Sequence, residues 1–177
     1  LLDKISLPNG VVNLVLGEGN VIGPSLMDLS IIKIISFTGS TDTGEIIQKH
    51  LGSSDVRYQA EMGGSNALVI WEDADIDNAV NAAITSGMAC AGQWCTGISK
   101  LVVHGKIYNR AINSLTKAVK NITVGDGSIP STDMGPLNNS QQLMKMKNYV
   151  KRALKQGAEV ITGGTAIESD KNKGYFF

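Results

Sequence analysis

The stretch IISFTGSTDTG at residues 34–44 decides the fold of this chain. Its first half is a short apolar run rich in β-branched residues, which predicts a buried strand. Its second half is a turn bracketed by Gly39 and Gly44, and residues 44–51 then have the apolar spacing of a short amphipathic helix. A strand that runs through a turn into a helix indicates a βα arrangement with a parallel sheet.

Further strands are predicted on both sides of this unit. Residues 11–16 (VVNLVL) form another β-branched run, which we interpret as a second buried parallel strand. Residues 24–29, which lie between the two runs, leave room for only a turn or two of helix. Residues 56–61 (VRYQAE) alternate and predict a strand that ends at Glu61, at the edge where open α/β sheets bind their ligands.

The remainder of the chain continues the alternation of strands and helices. Strands are predicted at residues 66–71, 100–104 and 159–161, and amphipathic helices at residues 76–88, 107–122 and 143–154. Asp75 is a candidate N-cap of the first of these helices. Residues 125–137, rich in Gly, Pro, Ser and Asp, predict a loop, and Gly63-Gly64 is the one plausible domain boundary.

The composition excludes several classes of partner. Sixteen basic residues balance sixteen acidic ones, and no basic cluster alternates with aromatic residues, so nothing indicates nucleic-acid binding. No apolar run approaches the roughly 20 residues that a membrane helix needs. We expect no metal site either, because Glu72 and the aspartates that follow it are better explained as the acidic start of a helix. A small metabolite is the expected partner.

Cys90 and Cys95 are the two cysteines of the chain. Their spacing matches neither a redox Cys-x-x-Cys motif nor a zinc pair, so a reducing compartment fits best. We expect Cys90, at the apolar side of a helix end, to be a small buried hydrophobe. Cys95 differs because it lies in AGQWCTG (residues 91–97), where glycine and small neighbours leave a thiol open to a substrate.

A carboxylate precedes this thiol by 34 residues, in EMGGSN at residues 61–66. The Gly-Gly pair after Glu61 allows the side chain to swing, so Glu61 and Cys95 could act as a water-activating base and a nucleophile. The turn at residues 39–44 is not the G-x-G-x-x-G fingerprint, yet its N–H groups and the following helix N-terminus could face a pyrophosphate.

The three motifs, with LPNGVVN (residues 7–13) ahead and DMGPL (residues 133–137) behind, resemble the aldehyde dehydrogenase family along nearly the whole chain. The resemblance implies an enzyme that oxidises a small-molecule aldehyde with NAD or NADP. It assigns the nucleophile to Cys95 and the base to Glu61, with the Cys95 main-chain N–H as one oxyanion donor. The residues that it places at the cofactor are Gly39, Ser40, Gly44 and Met62.

The resemblance also implies an architecture. The fold is an aldehyde dehydrogenase-like α/β fold, with residues 1–62 as the second half of a Rossmann-like cofactor domain and residues 63–177 as the first half of the catalytic domain. Family members are longer, so we expect a central fragment that is inactive alone. We expect the parent protein to be cytoplasmic and a homodimer or homotetramer.

Two alternatives remain open. A coenzyme A-acylating relative would pass the acyl group to a thiol and not to water, but such relatives tend to lack the carboxylate at Glu61. An inert structural or binding relative is the other alternative, and the presence of both Cys95 and Glu61 argues against it. Trp94 could line the substrate pocket or anchor its loop in the core. Ser65 stands where many members have lysine.

Overall fold

The computed structural model describes residues 2–167 and 174–177. Its contacts divide the chain into two compact units, Leu1–Gly63 and Gly64–Phe177. The helices and strands of the first unit are α1 (Gly19–Met27), β1 (Ile34–Gly39), α2 (Thr41–Leu51) and β2 (Arg57–Met62), preceded by a 3₁₀ turn at Leu2–Ile5. Those of the second unit are β3 (Asn66–Ile70), α3 (Ile76–Met88), β4 (Ile98–Val103), α4 (Tyr108–Lys120) and α5 (Ser140–Lys155), with 3₁₀ turns at Ala89–Gly92 and Gly105–Ile107.

Each unit is built on one pair of parallel strands joined through a helix. β1 pairs with β2 and α2 connects them, while β3 pairs with β4 and α3 connects those. Parallel neighbours need such a crossover because a tight hairpin can join only antiparallel strands. The predicted strand, helix and strand alternation and its parallel pairing are confirmed.

The core of the second unit lies where α3 packs against its sheet and α4. Asp75 caps α3, and its Oδ1 accepts the Asn78 N–H at 3.1 Å, as the sequence predicts. The helix then buries one apolar face against Ile70 of β3 and Ala111 of α4. The buried residues of this cluster are Ile70, Ile76, Val80 and Ala111.

Two predicted strands are wrong. Residues 11–16 form no strand, and Leu14 is 82% exposed. Their local hydrogen bonds, Val11 N–H to the Pro8 carbonyl and the Asn13 amide to the Gly10 carbonyl, make a turn. Residues 159–161 are likewise irregular and exposed. A β-branched run becomes a strand only where a partner strand pairs with it, and no strand of the described residues pairs with either segment.

Two other expectations need correction. The helix expected within residues 24–29 is longer and begins at Gly19, since the Glu18 carbonyl accepts the first helical N–H groups and Pro24 is tolerated inside. β1 is not buried, because its residues alternate between exposed and half-buried. Alternation of this kind is what a two-stranded sheet covered on one face produces.

Candidate active site

The turn after β1 forms the N-terminus of α2, and its geometry follows from one side chain. Ser40 is the N-cap: its Oγ accepts the Thr43 N–H at 3.2 Å and lies 2.9 Å from Thr43 Oγ1. A cap of this kind satisfies one of the four N–H groups that lack helical partners and leaves others in the first turn. Gly39 and Ser40 are both exposed. The turn therefore presents backbone N–H groups at the positive end of a helix, an arrangement suited to an anion.

The strand register brings the carboxylate motif to the same edge. Thr38 pairs with Glu61, and Gly39 pairs with Met62, at the carboxyl ends of β1 and β2. Parallel strands end together at one edge, which is where α/β sheets bind ligands. Glu61 is exposed at this edge and thus open to water.

Gly44 in α2 lies under the side chain of Met62. A Cβ built at Gly44 would be 2.6 Å from Met62 Sδ and 3.4 Å from the Tyr58 hydroxyl oxygen. The Tyr58 hydroxyl also donates a hydrogen bond to the Gly44 carbonyl at 3.0 Å. The absence of a side chain at Gly44 therefore lets β2 approach α2 closely, and it sets the position of Met62.

The first unit thus gathers the four residues predicted at the cofactor, together with the predicted base, at one edge. The cofactor residues are Gly39, Ser40, Gly44 and Met62, and the base is Glu61. Their proximity is observed, and their roles remain predictions.

The predicted nucleophile belongs to the second unit. Cys95 occupies the second position of a four-residue turn in which the Gly97 N–H donates to the Trp94 carbonyl at 3.0 Å. Its side chain is exposed, as expected for a thiol that a substrate must reach. Trp94 is 54% exposed, which does not fit a core anchor.

Asn66, the first residue of β3, holds this turn. Its Nδ2 donates to the Cys95 carbonyl at 2.8 Å and to the Gly97 carbonyl at 3.1 Å. Gly64 lies beside this hydrogen bond, because a Cβ there would be 3.0 Å from the Cys95 carbonyl oxygen and 3.3 Å from Asn66 Nδ2. Beyond the turn, the Ile98 N–H donates to Ser86 Oγ of α3 at 3.2 Å.

Cys90 is exposed, so the prediction of a buried cysteine is wrong. The reason lies in the end of α3. The helix stops at Met88, and Cys90, Ala91 and Gly92 follow with φ of 52°, 56° and 70°. If α3 continued, Cys90 would lie on the apolar face of the helix. The left-handed residues instead turn the chain away from that face. The Gln93 side chain braces the bend by donating to the Cys90 carbonyl at 3.1 Å.

Sequence reasoning missed the parts played by Asn66 and Gly64. Both stand in the motif that contains Glu61, where the sequence assigns Gly64 only flexibility and assigns Asn66 no part. The available signal was a polar residue at the head of the otherwise apolar strand Asn66–Ile70. A side-chain amide in that position has to find partners nearby, and here the partners are the two carbonyls of the thiol turn.

Comparison with known proteins gives one consistent result. The model of the aldehyde dehydrogenase family matches residues 1–177. Alpha-ketoglutaric semialdehyde dehydrogenase of Bacillus subtilis is 35% identical over 175 residues, which are 98% of this chain and 36% of that protein.

Solved structures agree with this match. Betaine aldehyde dehydrogenase of Staphylococcus aureus in complex with NAD+ superposes with a TM-score of 0.94 at 32% identity, covering 99% of this chain and 35% of that one. A 3,6-anhydro-L-galactose dehydrogenase in complex with NADP gives 0.93 at 34% identity, covering 99% and 37%. The predicted α/β fold is confirmed.

Two further observations concern the length of the chain relative to these proteins and the character of its helices. It spans about a third of the length of these relatives. Across residues 2–167 and 174–177, no helix combines the length and the apolar character needed to cross a bilayer.

Proposed function

Because the chain belongs to the aldehyde dehydrogenase family, we propose that the protein carrying it oxidises a small-molecule aldehyde to a carboxylic acid and transfers the hydride to NAD or NADP. The observation that carries the proposal is the Cys95 turn. The Cys95 side chain is exposed in this turn, and the Cys95 main-chain carbonyl accepts a hydrogen bond from Asn66. The same chain has Glu61 near the carboxyl end of β2.

Cys95 acts first in the proposed reaction. Its thiolate adds to the aldehyde carbon, so a carbon–sulfur bond forms and the carbonyl oxygen becomes an oxyanion. The Cys95 main-chain N–H is the donor that this chain offers to that oxyanion. Once the hydride has left the carbon, the acyl group remains on Cys95 as a thioester.

Glu61 acts second. Its carboxylate takes a proton from a water molecule, which attacks the thioester carbon, and the carbon–sulfur bond breaks to release the carboxylic acid and the thiolate. Exposure of Glu61 supports this role, because the base must contact water. The Gly63-Gly64 pair that follows would allow the Glu61 side chain to swing toward that water.

The edge of the first unit fits a dinucleotide. Gly39 and Ser40 are exposed beside the first turn of α2, so backbone N–H groups would hold a pyrophosphate there. Asp42 in that turn is negative, so the anion would depend on these N–H groups and not on side-chain charge. Met62 extends from the end of β2, 40% exposed, where it would contact the nicotinamide.

Two observations support the expected location and cofactors of the protein. The two cysteines are free, which suits the expected cytoplasmic location. One neighbour binds NAD+ and another NADP, so both cofactors stay within the proposal.

The expected homodimer or homotetramer is part of the same proposal, and size-exclusion chromatography with light scattering tests it.

The test uses the natural gene product that carries this chain. We expect it to reduce NAD or NADP in the presence of at least one member of a panel of aldehydes, without coenzyme A. Cys95→Ala should lower turnover to background, and Cys90→Ala, the matched exposed thiol, should leave turnover intact. The proposal is wrong if no aldehyde is oxidised with either cofactor, or if Cys95→Ala remains active. A strict requirement for coenzyme A would favour the acylating alternative.

A further inference from the structure

The side-chain amide of Asn66 is oriented by its partners. Its Nδ2 lies 2.8 Å from the Cys95 carbonyl oxygen and 3.1 Å from the Gly97 carbonyl oxygen. Carbonyl oxygens only accept hydrogen bonds, so the NH₂ group of the amide must face the turn. One side chain therefore uses both of its N–H donors on the loop that carries Cys95.

The main chain of Asn66 is held from the opposite side. The Ser99 hydroxyl donates to the Asn66 carbonyl at 3.1 Å. Asn66 pairs with Ile98 but Ala67 pairs with Lys100, so Ser99 is an extra residue in β4. Such a bulge bends a strand and redirects a side chain, and bulges are frequent beside active sites. Here it fixes Asn66 at the point where β3 meets the Cys95 turn.

The consequence for Cys95 follows from peptide geometry. The peptide group between Cys95 and Thr96 is planar, so fixing its carbonyl fixes the orientation of the whole group. Gly64 lies next to the same oxygen, and a Cβ there would be 3.0 Å from it and 3.3 Å from Asn66 Nδ2, so only glycine leaves room for this hydrogen bond. The Cys95 N–H shares the preceding peptide group with the Trp94 carbonyl, which accepts the Gly97 N–H at 3.0 Å. Both peptide groups of Cys95 are therefore held, and with them the direction of the Cα–Cβ bond that carries Sγ.

We propose that Asn66 is a positioning residue that holds the Cys95 main chain so that the thiolate and the Cys95 N–H meet the aldehyde together. This inference rests on the proposed function. It assigns to Asn66 no contact with the substrate and no proton transfer. Its effect is to keep the reacting sulfur in a narrow range of orientations, which strongly affects rate because small misplacements of reacting groups are costly.

The experiment compares four variants of the natural gene product. Asn66→Asp keeps the shape but turns a carboxylate toward two carbonyl oxygens. Asn66→Ala removes the donors, and Asn66→Ser retains one hydroxyl donor. Ser86→Ala is the matched control, since it removes the half-buried hydrogen bond that the Ile98 N–H makes just after the same turn. Each variant is measured for thermal unfolding, for kcat and KM, and for hydrogen–deuterium exchange of a peptide that ends at Gly97.

We expect Asn66→Asp and Asn66→Ala to lower kcat, on the order of 10²-fold, with little change in the KM for NAD(P). Asn66→Ser should recover part of the loss, and Ser86→Ala should retain kcat. Exchange in the turn should accelerate in Asn66→Ala and not in Ser86→Ala.

The inference is overturned if the Asn66 variants lose no more kcat than Ser86→Ala, or if Asn66→Ser is no better than Asn66→Ala. Unchanged exchange in Asn66→Ala also overturns it, and this readout does not require activity. A parent protein that oxidises no aldehyde would refute the proposed function, whereas an active parent with insensitive Asn66 variants would refute this inference alone.

Discussion

Gly44→Ala tests whether the packing of α2 against Met62 positions Met62 for the proposed contact with the cofactor. Gly44 is buried, and an added methyl group would lie 2.6 Å from Met62 Sδ and 3.3 Å from its Cγ. Comfortable contacts between nonbonded heavy atoms are about 3.5–4.0 Å. The Met62 side chain must therefore move by about 1 Å, and its flexible thioether can do so without unfolding the unit.

Two opposing effects determine stability. Replacing glycine by alanine inside a helix stabilises by roughly 0.5–1 kcal/mol. Overpacking by one methyl costs about 1–3 kcal/mol. The difference predicts a destabilisation of roughly 0–2.5 kcal/mol. The effect on cofactor binding is separate from the effect on stability. Loss of the proposed contact between the Met62 sulfur and the nicotinamide ring would cost about 0.3–1.5 kcal/mol, which raises the cofactor Kd roughly two- to tenfold.

Gly19→Ala in α1 is the control, since Gly19 is exposed in the first turn of that helix and a Cβ there meets nothing within 4 Å. It should stabilise the protein by at most roughly 1 kcal/mol and leave cofactor binding unchanged. The assay pairs thermal unfolding with NAD(P) titration followed by fluorescence. An unchanged cofactor Kd in a folded Gly44→Ala protein would refute the proposed contact of Met62 with the cofactor. Equal stabilisation by Gly44→Ala and by the control substitution would refute the close packing of Gly44 against Met62.

Three further predictions concern single groups. Asp75→Ala should destabilise the protein by about 1 kcal/mol because α3 loses its cap, measured by denaturant unfolding. Tyr58→Phe should cost about 1 kcal/mol by leaving the Gly44 carbonyl without its hydroxyl donor, and the change in unfolding midpoint measures it. The backbone N–H of Ser128 donates to the exposed Asp126 carboxyl and holds its pKa below the ordinary value. The stability that this hydrogen bond adds is therefore present above the unfolded-state pKa and is lost as the pH falls through the folded-state pKa. NMR titration of Asp126 should show this, and an unshifted pKa would contradict it.

Local sequence signals predicted the elements whose causes are local. Asp75 predicts the start of α3 because a short carboxylate before an apolar helix satisfies a free N–H group. The alternation in residues 56–61 likewise predicts β2, which ends beside Glu61. The predicted strand at residues 11–16 failed because pairing, which is not local, decides whether a β-branched run becomes a strand.

The site was predictable to a similar extent. Motifs single out Cys95 and Glu61 as candidates, because their residue types could carry the chemistry, and their catalytic roles stay predictions. Cys90 was misplaced because the left-handed bend after Met88 has no glycine at its first two residues to announce it. The polar residue at the head of β3 signals an amide that needs partners, but which partners it finds could not be predicted, since its hydrogen bonds reach residues 29 and 31 positions away.

In the proposed reaction, Cys95 carries the acyl group and Glu61 activates the water that removes it. Rapid mixing of the Glu61→Gln gene product with aldehyde and NAD(P), with mass analysis of the quenched Cys95 peptide, tests both parts at once. We expect a burst of reduced cofactor, a slow steady state, and the acyl mass on Cys95. A vanished burst with unchanged steady-state turnover, or an acyl mass on Cys90, would contradict it.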